Sequence, residues 1–254
     1  MPNDDKPSPN RPASSSRLAV RNVDALVFAA DMYGLQLDQL AELAGGERSA
    51  RAAASRWREL GYAQTARLSE GAPWLWVTRA GLGACGLGYR PGRPALGQLA
   101  HTRAVAAVRI ALEATGGYRA ASAYWRCERR IRSRLGGVGV RQHLPDGEVH
   151  WPDGALGQDG TPIGWAGECW AIEAEVSPKT VARTTAIMRE ILFRTGDYGC
   201  PAADVSVPGR PARHARALYV CSPAALGTVL RARAALGPLA VRVEVRDLPP
   251  GARL

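Results

Sequence analysis

The stretch WAIEAEVSPK, residues 170–179, constrains this chain more than any other. Read as a strand, Ile172, Ala174 and Val176 share one face, while Glu173 and Glu175 share the other, about 7 Å apart. Trp170 and Ala171 make its start apolar, so the segment reads as an interior strand. A half-solvated strand, polar out and apolar in, accounts for this pattern. A pair of metal-binding carboxylates accounts for it equally well. What the rest of the chain brings near the two acids decides between them.

A length of 254 residues allows two small domains or one large one, with ample apolar content for a core. The formal charge of +10 points to an acidic partner, nucleic acid first. Nearly all the positive charge is arginine, lysine occurring only at Lys6 and Lys179, a bias that a GC-rich coding sequence would also produce. The five cysteines are scattered and form no C-x-x-C, so neither a zinc ribbon nor a disulfide framework is indicated. They are expected to be reduced and buried. The N-terminus has acidic residues and no apolar run, unlike a signal peptide, and no later run is long enough to span a bilayer. A cytoplasmic protein with no membrane partner is expected.

Residues 1–18, rich in Pro, Ser and Asn, have the composition of a disordered tail. Residues 19–88 read as three helices and a hairpin, the order of a winged helix-turn-helix. The glycines after LQLDQLAELA suit a helix C-terminus, and SEGAP suits the hairpin loop. YRPGRPALG marks a linker over 89–98. From 99 to 254 a helix, three strands, a helix and further strands and helices predict one mixed sheet with helices on its faces, an α/β (α+β) class.

The third helix, ERSARAAASRWREL, has two characters. Ala50, Ala53, Ala54, Trp57 and Leu60 cluster on one side; Arg48, Arg51, Ser55 and Arg58 fall on the other. Arginines along the exposed face of a third helix suit the major groove of double-stranded DNA. Arg67 and Arg79, near the ends of the hairpin, would touch the backbone. A solvated arginine-rich helix that binds protein is the alternative. Trp57, Trp74 and Trp76 are expected in the core and hairpin packing.

Charge is segregated further on. The segment from Arg119 to Arg141 is strongly basic, whereas Leu144 to Glu175 contains no Lys or Arg but seven acids. An acidic core between basic flanks suits metal-dependent chemistry on a phosphodiester: carboxylates hold Mg²⁺ or Mn²⁺ and arginines hold phosphates. Asp153 in HWPDGAL, about twenty residues before Glu173, resembles the P-D…(D/E)-x-K pattern of restriction-endonuclease-like nucleases. That resemblance implies metal binding by Asp153 and Glu173 and a lysine that positions or activates water. The lysine position holds Glu175 instead. Lys179 follows in SPKT, where Ser177 reads as an N-cap and Pro178 as the first helical residue, and its stem could return over the site. Glu128, the lone acid of its basic segment, is the candidate fourth carboxylate; half of a surface Arg–Glu pair is its bland reading, as a surface lysine is for Lys179.

The winged helix, the W-x-x-E of Trp125–Glu128, the H-x-P-D-G of His143–Gly147, the W-P-D-G of Trp151–Gly154 and the strand AIEAEVSPKT together resemble the replication-relaxation family of actinobacterial plasmids and integrative elements. The resemblance covers most of residues 19–245. It implies a winged helix fused to a restriction-endonuclease-like domain, acting in plasmid replication, relaxation or mobilisation. E-x-E in place of E-x-K leaves two readings: a metal-dependent nickase, or a DNA-binding regulator whose second domain dimerises or binds a partner. No G-x-x-x-x-G-K-[ST], G-x-S-x-G, H-x-H or H-E-x-x-H occurs. His143 and His150, each ahead of a P-D-G turn, have two readings: they line the site or, the more expected one, they pack or cap those turns.

Overall fold

The apolar stripe beginning at Leu26 forms helix α1 (Val20–Asp31), with Leu26, Ala29 and Ala30 fully buried. The computed structural model describes residues 20–134, 143–154, 161, 162, 164, 166–193 and 214–252; the tail 1–18 and Cys200 lie outside them. After α1 come β1 (Leu35–Gln36), α2 (Leu37–Ala44), α3 (Glu47–Glu59), β2 (Ala63–Ala66) and β3 (Trp74–Val77). The strands form an antiparallel sheet in the order β1-β3-β2. This is the winged helix-turn-helix order. Gly45 ends α2 in the left-handed region at φ 80°, as the glycines there led one to expect. The sequence did not foretell β1, too short to show a period, or α4 (Arg79–Ala84), whose two glycines lower its helix propensity. Thr78 caps α4 by accepting a hydrogen bond from Gly81 N at 3.2 Å.

The second part runs α5 (Leu99–Ala114), α6 (Gly116–Ala120), β4 (Tyr124–Cys127), α7 (Glu128–Arg134), β5 (Gly147–Trp151), β6 (Glu168–Glu175), α8 (Val181–Phe193), β7 (Arg216–Cys221), α9 (Pro223–Ala234) and β8 (Val243–Asp247). Its five strands lie in the order β4-β5-β6-β7-β8. β4, β5 and β6 are antiparallel neighbours, and β6, β7 and β8 run parallel through crossovers carrying α8 and α9. This mixed sheet flanked by helices is the expected α/β architecture. Strand alternation sorts the two cores. Trp170, Ile172, Ala174, Val149 and Leu218 face α5 and join the core of the winged helix, while Ala171, Ala217, Tyr219 and Cys221 face α8 and α9. Among the described residues no helix is long and apolar enough to cross a membrane.

A polar seam mounts the winged helix on α5. The buried Arg103 guanidinium donates twice to Asp38, at 3.0 and 2.6 Å, and Arg109 meets Asp31 at 3.1 Å while lying 4.1 Å from the centre of the Phe28 ring. Bidentate guanidinium–carboxylate pairing fixes orientation as well as distance. The α3 helix is thereby held in a set relation to the sheet.

Gly147 has a packing role at the start of β5. A Cβ there would lie 2.0 Å from the indole of Trp125, across the β4–β5 pair. Gly147→Ala should therefore cost about 1–3 kcal/mol through overpacking, read as a lower urea midpoint at unchanged slope. An unchanged midpoint would mean the indole moves freely.

One expected boundary is corrected. α8 starts at Val181, not near Pro178, because Thr180 Oγ1 accepts from Arg183 N at 3.2 Å and is the cap that Ser177 was expected to be. Lys179 thus sits in the connection between β6 and α8.

Candidate functional site

Glu173 and Glu175 occupy alternate positions of β6, and both carboxylates are buried on the same face of the sheet. Glu173 is 2 % exposed and Glu175 4 %. The half-solvated strand is therefore excluded, and each buried acid needs partners. Glu173 Oε1 contacts His143 Nε2 at 2.8 Å, and Glu175 pairs with the ammonium of Lys179. The third acid beside them is Asp146. Its Oδ2 accepts from Ala174 N at 2.8 Å and its Oδ1 meets His101 Nε2 at 2.9 Å.

The electrostatics are those of crowded acids under cations. Burial raises the Glu173 carboxyl above the usual carboxylate range, Asp146 raises it further, and the His143 contact brings it only partly back. Burial opposes the charge on His143, but the hydrogen bond and charge of Glu173 outweigh it and the imidazole is raised. At His101 burial also opposes the charge; the hydrogen bond and charge of Asp146 outweigh it and raise the imidazole to about 9.

These groups form the floor of a cleft of about 1200 Å³ between the winged helix and the sheet. Arg90, Arg93 and Arg132 are exposed along its rim. Arg129 plays a different part. It is buried between the rings of Tyr33 and Tyr89, 4.9 and 4.7 Å from their centres, and donates to Ala30 O at 2.5 Å, so it ties the wall together. Glu128, first residue of α7, lines the cleft; its N–H donates to Asp146 O at 3.2 Å while its carboxylate pairs with Arg132.

Asp153 is not brought to this site. The antiparallel register places Gly147 opposite Ile172 but Trp151 opposite Glu168, five positions short of Glu173 and about 17 Å from it along β6. The exposed Asp153 lies beyond Trp151, at the far end of the sheet. Two similar P-D-G turns flank β5, and strand direction delivers the first, Pro145–Asp146, to the acids. Thus Asp146 takes the place expected for Asp153, and Asp153 cannot share an ion with Glu173. His143 takes the less expected of its two readings: it lines the cleft and contacts Glu173. His101 carried no sequence signal, because α5 alone brings it near.

On the winged helix, Arg48, Arg51, Ser55 and Arg58 are all exposed, and Ala50, Ala53, Ala54 and Trp57 are buried, as the wheel predicts. Arg51 pairs with Glu47 at 2.8 Å and Ser55 donates to Glu59 at 3.2 Å, so acids at both ends temper this face. A groove between α3 and the hairpin is lined by Ser55, Arg58, Gln64 and Trp76. Arg67 donates to Gly71 O at 3.4 Å within the hairpin loop, and exposed Arg79 begins α4.

A separate cluster lies on the α8-facing side of the sheet. Glu148, His150 and Cys169 are buried, and their ligand atoms all lie within 4.8 Å of one another, so they could hold a metal ion. Comparison with protein-family models, with curated proteins and with solved structures found no match.

Proposed function

We propose that this chain is a double-stranded-DNA-binding protein whose cleft carries a divalent-metal site for phosphodiester chemistry, a DNA nickase of the plasmid relaxation or mobilisation type. The observation that supports this reading is the convergence of Asp146, Glu173, Glu175 and Lys179 on the floor of a cleft rimmed by arginines. The donors offered are all carboxylate oxygens, which fit Mg²⁺ or Mn²⁺. Asp146 and Glu173 would hold the ion, with Glu175 or Glu128 adding to the oxygen shell. When bound, such an ion polarises a phosphoryl oxygen and makes a bound water more acidic.

The chain's own residues supply the rest. His101 and His143 orient Asp146 and Glu173. Lys179, arriving from the connection after β6, brings an ammonium to the position where E-x-E lacks one, and can position a water or steady charge on phosphate. Arg90, Arg93 and Arg132 offer guanidinium groups to the DNA backbone. The exposed face of α3 selects the site, and the shared core holds that face in register with the cleft.

The same contacts also favour a second reading, a regulator without catalysis. Lys179, His101 and His143 each already face one of the carboxylates, leaving less negative charge to attract an ion. Calorimetry with Mn²⁺ separates the readings. Binding of one ion should be seen in the wild type, retained in Asp153→Asn and lost in Asp146→Asn. A flat trace for the wild-type protein would sink the metal site.

A further inference from the structure

The cluster further along β5 and β6, on the sheet face that also carries Glu173, has a chemistry unlike that of the cleft. Glu148 and His150 alternate on β5, and His150 lies directly opposite Cys169 on β6, so all three side chains emerge on one face. Their burial is nearly complete, at 0, 4 and 2 % exposure. His150 Nε2 stands 3.6 Å from Cys169 Sγ and 3.6 Å from Glu148 Oε2. A tetrahedral zinc ion, with bonds near 2.0–2.1 Å to nitrogen and oxygen and 2.3 Å to sulfur, sets its ligand atoms about 3.4–3.5 Å apart. The two separations from His150 match those edges to within a few tenths of an ångström, and the third, between Cys169 and Glu148, lies within 4.8 Å.

We infer that Glu148, His150 and Cys169 form a zinc-type site, these three being the donors found together among the described residues. One nitrogen, one sulfur and one oxygen donor suit a borderline-soft ion and not Mg²⁺. The surroundings fit ligands that are themselves held. His214 Nε2 lies 2.9 Å from Glu148 Oε1, Arg126 donates to Oε2 at 3.3 Å, and the ring of Tyr124 stacks on His150 at 4.7 Å with 3° between the planes. The Arg126 guanidinium works against a cation and sets the affinity below that of a site with thiolates only. The thiol of Cys169 gives its proton to solvent on binding, so thiolate and carboxylate offset the ion's two charges and the Arg126 charge remains as the excess.

The position has a consequence for the cleft. Cys169 and Glu173 are four places apart on β6, roughly 13 Å, and Glu148 is two residues from Asp146. An ion bridging β5 and β6 there locks the register that sets Asp146 against Glu173. It is a clamp, separate from the cleft ion and independent of whether the cleft cuts DNA.

The test uses the full chain, stripped by chelator and titrated with Co²⁺ and then Zn²⁺. One equivalent of Co²⁺ should give thiolate-to-metal charge-transfer absorption and intense tetrahedral ligand-field bands, both discharged by one equivalent of Zn²⁺. Asp146→Asn should keep both. Cys169→Ser should abolish the charge-transfer band, and His150→Gln should weaken Co²⁺ binding by more than about 100-fold, beyond what loss of an outer partner costs. A wild-type spectrum without charge transfer overturns the proposal, as does a band that survives Cys169→Ser. Should Cys169→Ser fail to fold by circular dichroism, the wild-type spectrum and His150→Gln still decide.

Discussion

Asp146→Asn should leave a supercoiled plasmid intact under conditions in which the wild-type protein converts it to open circles with Mg²⁺ or Mn²⁺. The plasmid carries a site selected by the protein from random duplexes. Asp146 is the acid that strand register places beside Glu173, and its loss removes an anionic ligand at the point where charge must be steadied. The expected fall in nicking rate is at least about 100-fold, or roughly 2.7 kcal/mol in the barrier. Asp153→Asn, at the far end of β5, should cut like the wild type. Lys179→Ala should slow nicking by about 10–100-fold while gel shifts stay normal, because the residue lies in the cleft and not on α3. Open circles should precede linear product, since a single site makes one nick; a homodimer would shorten that lag. A wild-type protein that shifts its DNA but leaves the plasmid uncut with every divalent ion would leave the regulator reading standing.

The second large effect should come from α3. Arg51→Ala combined with Arg58→Ala should weaken DNA binding by about 30-fold to roughly 20,000-fold, each side chain contributing around 1–3 kcal/mol if it reads a base edge. Arg58, which lines the groove beside the hairpin, should contribute more than Arg51, part of whose charge is already met by Glu47. The plot of log affinity against log salt should flatten by about one for each arginine that contacts a phosphate. Binding that is unchanged in the double variant would remove α3 as the reader and shift attention to the arginines of the cleft rim.

The winged helix was legible because its signals are local. An alanine-and-tryptophan stripe, glycines after α2 and a hairpin loop each act within a few residues, and α3 buries the predicted side. The sheet domain was legible for the same reason, since apolar runs and a capping Ser222 before Pro223 mark β7 and α9 in the chain itself. Glu173, Glu175 and Lys179 also stood out, as acids in an apolar strand and one of only two lysines. The sequence alone thus determined the order of the main elements, β1 and α4 apart, the exposed face of α3 and one strand of the site.

Pairing decided the rest. Two P-D-G turns flank one short strand, and composition cannot say which reaches the acids; the hydrogen-bond register of β5 on β6 brings in Asp146 and leaves Asp153 beyond Trp151, whose partner Glu168 is already about 17 Å along β6 from Glu173. His101 joins Asp146 only because α5 packs across the sheet. Cys169 and His150 meet only because they are opposite on neighbouring strands, so no C-x-x-C or H-x-H spacing could announce them. Local signals act over one or two turns of chain, whereas a site made from residues 101, 146, 173 and 179 exists only once tertiary packing has closed the distances between them.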